Sequence, residues 1–354
     1  MKKDFLKALL VASFLTGCQG MSFDLPQTSD QFEQTISYNN KVDILWIVDN
    51  STSMLKHQQN LSAQIPELVS KLNSLKMDYQ MAVISSSMGG SLPDGGKFLG
   101  SPKYLTAKTS NLASTLADRM VVGEAGSNNE RGLESMEVVL SAPYSSGEGK
   151  GFLRDDALLV VIALSDEEDK SRPVSTAVQY YSEFLDSIKA PWVDGSRSWV
   201  FNFIGVLSLS SQCRTFNDYA EPGEIFKGLV AVSGGIQETI CNNSLASALG
   251  NIRARMYEIL TDFKLSNIPA IETIVVKING QVVPRSQVNG WDYIESLNLI
   301  RFYGSAVPSA DSSISVDFKP RTVNKAKATE PPARRLQRSG FSSQQRRTGD
   351  TVPS

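Results

Sequence analysis

At 354 residues the chain is long enough to bury the core of one large or two modest domains. Its 41% hydrophobic, 8% aromatic and 20% charged residues are globular proportions, excluding a fibrous or wholly unstructured chain. The net charge of −2 hides a basic end, since after residue 320 eight Arg and Lys residues face only Glu330 and Asp350. The remainder is therefore the more acidic part, which argues against nucleic acid as a partner because that needs a concentrated basic face.

Lys2, Lys3 and Lys7 give a basic start, residues 5–15 are almost wholly apolar or small, and Leu15-Thr16-Gly17-Cys18 follows. The apolar run is too short to cross a bilayer as a stable helix, so residues 1–17 read as a signal peptide. Leu-Thr-Gly-Cys resembles the lipobox of bacterial lipoproteins. That resemblance implies lipidation at Cys18 and, with Gln19 next, outer-membrane sorting in a Gram-negative cell envelope, on the periplasmic or the outer surface. A plain secretory signal with a chance cysteine is the alternative. More than one acyl chain, at about 0.8 kcal/mol per buried CH₂, anchors a protein to the membrane without spanning it. Residues 18–40 are polar, with Pro26, Ser29 and Asn39-Asn40, and read as a lipidated linker.

Residues 42–48, Val-Asp-Ile-Leu-Trp-Ile-Val, predict a buried strand that ends in Asp49, Ser51 and Ser53. In open α/β sheets ligands bind at that edge, and hard oxygen donors suit Mg²⁺ or Mn²⁺. Asp and Ser are also preferred helix N-caps, which needs no metal. Over residues 55–75, Leu61, Ile65, Leu68, Val69, Leu72 and Leu75 recur at helical spacing. His57, the only histidine, is expected on a solvated surface, and its isolation counts against a His-based triad. A second strand over 79–84 leads into a glycine-rich rim loop that lacks phosphate-cradling spacing.

A helix over 110–121 precedes Gly126-Ser127-Asn128-Asn129-Glu130-Arg131-Gly132-Leu133, in which Ser127 and Glu130 also have the spacing of a capping box. The most apolar strand, 157–164, ends in Ser165-Asp166-Glu167-Glu168-Asp169. It delivers Asp166 to the same sheet edge as Asp49, while Glu167, Glu168 and Asp169 read as a solvated acidic loop.

In order, these three segments resemble the metal-ion-dependent adhesion site of the von Willebrand factor type A (vWA) family. Asp49-x-Ser51-x-Ser53 matches its Asp-x-Ser-x-Ser without a gap. Ser127 stands at the ligand threonine of Gly-Thr-Asn-Thr-Gly-x-Ala-Leu, and Ser165-Asp166 matches Thr/Ser-Asp, with Glu167 where Gly is usual. The resemblance implies a doubly wound, mostly parallel α/β sheet over 41–265. It also implies a Mg²⁺ ion, or Mn²⁺ or Ca²⁺, contacted by Ser51, Ser53 and Ser127, with Asp49 and Asp166 holding its waters. An open coordination position would accept an acidic side chain from a protein partner. The Ser-for-Thr and Glu-for-Gly departures keep a second reading in play, a metal-independent envelope scaffold. A metal-dependent hydrolase ranks lower, because Glu167 and Glu168 are the only candidate bases and belong to no motif.

Beyond Asp166 the sequence predicts a helix over 174–188, a strand over 199–206, a helix over 224–232 and a closing helix over 245–263. Cys213 and Cys241 are expected to be bridged outside the cytoplasm, contributing about 3 kcal/mol in the chain-entropy model. Strand patterns over 271–278, 281–283, 297–303 and 313–318, with Asn279-Gly280 as a type I′ turn, predict a small antiparallel β module over 266–320. The basic tail, 321–354, is expected to be disordered. Lipopolysaccharide, an acidic glycan or no partner at all fits it equally.

Overall fold

The computed structural model describes residues 32–37, 40–75, 77–89, 94–127, 129–192, 195–216, 221–308 and 312–321. The signal peptide, Cys18, most of the linker and the tail from residue 322 lie outside the described residues.

In chain order the elements are β1 (Phe32–Ser37), β2 (Lys41–Val48), α1 (Leu55–Ser62), α2 (Ile65–Ser74), β3 (Asp78–Ser85), β4 (Leu105–Thr106), α3 (Leu112–Met120), α4 (Gly132–Leu140) and β5 (Leu158–Ser165). Then come α5 (Ala177–Ile188), β6 (Trp199–Gly205), α6 (Ser211–Phe216), α7 (Glu224–Ser233), β7 (Gln237–Thr239) and α8 (Ala246–Thr261). The last elements of the described residues are β8 (Asp262–Lys264), β9 (Val275–Ile278), β10 (Gln281–Val283), β11 (Gly290–Ile294), β12 (Leu299–Tyr303) and β13 (Ser313–Phe318).

Strands β4-β3-β2-β5-β6-β7 form the central sheet, all parallel except the short β4 at one edge. Alternation along β2 divides its side chains between two cores. Val42, Ile44, Trp46 and Val48 meet α1, α2, α3 and α8, whereas Leu45 and Ile47 meet α4, α5 and α7. Helices thus cover both faces, and the fold is a doubly wound α/β sheet. The stretch 55–75 forms two helices, because the chain turns at Ala63-Gln64 and Pro66 lies in the first turn of the second. His57, expected on the surface, is fully buried. It lies on the inner side of α1, in the turn that also buries Gln58.

The C-terminal module has two antiparallel sheets, β11-β12-β8 and β1-β13-β9-β10, around a core that includes Phe263, Val276, Trp291, Phe302 and Val316. Asn279 and Gly280 both have positive φ, 51° and 79°, as the two-residue β9–β10 turn requires. Two boundaries differ from expectation. Residues 32–37, read as linker, form β1 and pair with all of β13, Phe32 opposite Phe318 and Ser37 opposite Ser313. Strand β8 starts directly after α8, and its Asp262 takes both Nε and an Nη of Arg301 on β12 at 2.6 Å. The module is therefore built from chain on both sides of the α/β core, an arrangement that local pattern does not reveal.

Candidate functional site

Parallel pairing sets Val48 opposite Leu164, so the ends of the two central strands lie side by side. The Asp49 N–H closes that ladder by donating to the Leu164 carbonyl at 3.0 Å. The chain then turns, with the Ser51 N–H donating to Asp49 Oδ1 at 2.8 Å. That turn brings Ser51 Oγ and Ser53 Oγ within 3.4 Å of each other. Ser53 Oγ donates to Asp166 Oδ1 at 3.2 Å, and Ser165 Oγ to Asp49 Oδ2 at 2.6 Å. Asp49, Ser51, Ser53 and Asp166 are thus one contiguous cluster, with only Ser53 partly exposed.

Ser127 stands on the adjoining loop. Gly126 donates its N–H to the Asn50 carbonyl at 3.0 Å, and a Cβ on Gly126 would collide with the Asn50 side chain. Only glycine lets the two loops lie so close. The Ser127 N–H then donates to Ser87 Oγ at 2.9 Å, while its own Oγ accepts the Asn129 N–H at 3.0 Å. Among the described residues Ser127 makes no hydrogen bond to Asp49, Ser51, Ser53 or Asp166.

Two readings of local pattern are overturned nearby. The spacing of Ser127 and Glu130 is not a capping box, because α4 begins at Gly132 and its first N–H groups go elsewhere. Leu133 donates to Asp169 Oδ2 at 3.2 Å and Glu134 to Ser171 Oγ at 2.9 Å. The acids after Asp166 are likewise not a solvated loop. Asp169 is 1% exposed at the start of α4, Glu168 accepts the Glu224 and Ile225 N–H groups at the start of α7 at 2.8 and 3.1 Å, and Glu167 pairs with Lys170 at 3.0 Å. Free N–H groups and the positive end of the dipole at two helix starts explain why acids collect there.

Glu130 itself is 2% exposed. It accepts the Ser86 hydroxyl through Oε2, while Oε1 is buried without a hydrogen-bond partner. Its place in a Ser-x-x-Glu pair was visible in the sequence; its burial, which depends on Ser86 across the sheet edge, was not. Gln58 is a second residue without a sequence signal. Fully buried on α1, it donates through Nε2 to the carbonyls of Asp49 and Gly123, both at 2.8 Å.

Electrostatically this edge is short of positive charge. Burial pushes the Asp49 carboxyl up to about 6, against hydrogen bonds from Ser165 and Ser51, with the Glu167 charge adding to the rise. Burial and the neighbouring Asp49 charge push Asp166 to about 7, and the same two causes push Glu130 to about 9. Asp166 Oδ2 is buried with no hydrogen-bond partner. A small divalent cation fits these observations, because it would satisfy the orphan oxygen and relieve the repulsion with hard oxygen donors. Among the described residues no group of three or more His, Cys, Asp or Glu side chains could hold an ion alone, so any such site here relies on hydroxyls.

The fold and its edge define a doubly wound α/β protein whose Asp-x-Ser-x-Ser and Ser-Asp segments sit at the ends of its two central strands. No family model matches the chain, and no curated protein matches it in sequence. Solved structures similar to it include proximal thread matrix protein 1 from the mussel byssus, at 13% identity and a TM-score of 0.41 over 66% of this chain and 51% of that one. Two pilus adhesins are also similar. SpaC from Lactobacillus rhamnosus GG has 10% identity and a TM-score of 0.38 over 81% of this chain and 41% of its own. RrgA from Streptococcus pneumoniae has 9% identity and a TM-score of 0.31 over 81% and 58%. The chain thus spans about half the length of these structures, and likenesses this distant transfer no site, partner or activity to it.

Proposed function

We propose that this chain is a non-catalytic binding module that meets a protein partner with the carboxyl edge of its central sheet, and that a divalent cation completes that edge. The observation that carries the cation is the orphan Asp166 Oδ2, buried beside Asp49 in a cluster that already includes the Ser51 and Ser53 hydroxyls. In this reading Ser51 and Ser53 contact Mg²⁺, or Mn²⁺ or Ca²⁺, Asp49 and Asp166 hold its waters, and Ser127 approaches from the adjoining loop. The bound ion supplies one thing, attraction for an acidic side chain of the partner. Lipid at Cys18 would tether the module to a bacterial outer membrane, a part of the reading that rests on the sequence alone.

A second reading has its own support. Asp49 is already hydrogen-bonded by Ser51 and Ser165, Asp166 by Ser53, and the Ser127 hydroxyl is engaged by Asn129. An edge closed on itself in this way could act as a metal-independent scaffold for envelope assembly. That version needs no ion and leaves Asp166 Oδ2 without a partner.

Thermal unfolding of metal-stripped protein against added Mg²⁺, Mn²⁺ and Ca²⁺ separates the two. A ligand that binds only the folded state stabilises it by about 2.7 kcal/mol at a hundredfold excess over Kd. The cation reading predicts such a rise in wild type and none in Asp49→Ala. A flat response to all three ions in wild type leaves the scaffold.

A further inference from the structure

The two loops that form the edge are joined by one buried side chain. Gln58 lies in the first turn of α1, just after Ser53, and faces back toward the strand end. Its Nε2 donates to the Asp49 carbonyl and to the Gly123 carbonyl, both at 2.8 Å. Its Oε1 accepts the Gly123 N–H at 3.0 Å. A single carboxamide thus pairs with both the N–H and the C=O of one residue while holding the backbone of Asp49. Gly123 has a φ of +90°, a conformation that L side chains rarely adopt. Three residues later Gly126 is bonded to the Asn50 carbonyl, and Ser127 follows.

We propose that Gln58 is a positioning residue for the cation site: its carboxamide clasps the 123–127 loop to the Asp49 loop and so fixes how closely Ser127 approaches Ser51 and Ser53. Few side chains can take its place. An ionised Glu lacks the donors, and Met has no donor and only a weakly accepting sulfur, so each would free backbone groups of both loops at once. The bonds of Gln58 reach Asp49 and Gly123 but no proposed donor side chain, so its effect is felt as geometry. This inference rests on the cation reading, and the experiment separates the failure of one from the failure of the other.

Mn²⁺ affinity and metal-free thermal stability are measured together in wild type, Gln58→Met, Gly123→Ala and Ser62→Ala. Gly123→Ala strains the other end of the clasp at a place where a Cβ meets no other atom, so the fold should tolerate it. Ser62→Ala is the structural control, because it removes a bond from the same helix, Ser62 Oγ to the Ala117 carbonyl at 2.9 Å, on α3. Gln58→Met and Gly123→Ala should weaken Mn²⁺ binding by about tenfold or more, as loss of groups that orient metal ligands does. Ser62→Ala should lower stability and leave affinity at the wild-type value. Wild-type affinity in Gln58→Met, or equal losses of affinity in all three variants, overturns the positioning role while sparing the cation site. Absence of Mn²⁺ binding in wild type overturns both. Should Gln58→Met fail to fold, Gly123→Ala decides.

Discussion

At Glu130 burial and charge conflict. Its carboxyl has a folded value of about 9 against an ordinary 4.5, raised by burial and by Asp49. A carboxyl raised on folding holds its proton more tightly in the native state, so its contribution to stability declines as pH climbs from about 4.5 toward about 9. In EDTA, Glu130→Gln should therefore match wild type near about pH 5 and exceed it above about pH 8, as read by urea unfolding across pH. Parallel curves for the two proteins would mean that Glu130 ionises without cost. Gln58 gives a second test at this scale, independent of any metal. Removing its carboxamide takes the partner from the buried Asp49 carbonyl and from the half-buried N–H and C=O of Gly123, and Gln58→Met should lose about 1–3 kcal/mol. A loss within experimental error would show that those groups find other partners.

At the scale of elements, strands β2 and β5 carry the site and were readable because their apolar runs are local and end in Asp-x-Ser-x-Ser and Ser-Asp. The capping residues of α4 and α7 were not readable, because they come from far along the chain. Leu133 is capped by Asp169, 36 residues on, and Glu224 by Glu168, 56 residues before it. A window of ten residues cannot contain such pairs. An acidic run is therefore read as solvated when tertiary structure has turned it into two caps. Asp169→Ala should cost roughly 1–3 kcal/mol, since it strands N–H groups in a buried place, and Glu168→Ala, more exposed, nearer about 1 kcal/mol. Equal and negligible effects in denaturant melts would return both residues to the solvated loop that the sequence suggested.

For the whole molecule, the chain before the α/β core pairs with the chain after it. The six residues of β1 complete one edge of the module sheet on β13. Starting the protein at Lys41 should speed amide exchange in β13 and leave β2, β3 and β5 protected; unchanged protection in β13 would show that β1 contributes nothing to holding it. Sequence pattern found the antiparallel character of the module from its Asn-Gly turn and alternating strands. It missed β1, β8 and β11: β8 has only three residues, and the partner of β1, β13, lies at the other end of the described chain. Cys213 and Cys241 close a loop that holds α7 and the edge strand β7, joined in a disulfide with Cα atoms 4.9 Å apart over 28 residues. Replacing both with serine should lower stability by about 3.6 kcal/mol in the chain-entropy model.

Anomalous diffraction from Mn²⁺-soaked crystals of the chain decides whether an ion completes the edge between β2 and β5. One strong peak is expected, bounded by the Ser51 and Ser53 hydroxyls and the Asp49 and Asp166 carboxylates and absent in Asp49→Ala. Crystals with no peak there, in a protein that still engages its partner in EDTA, would contradict it and establish the edge as a metal-independent binding surface.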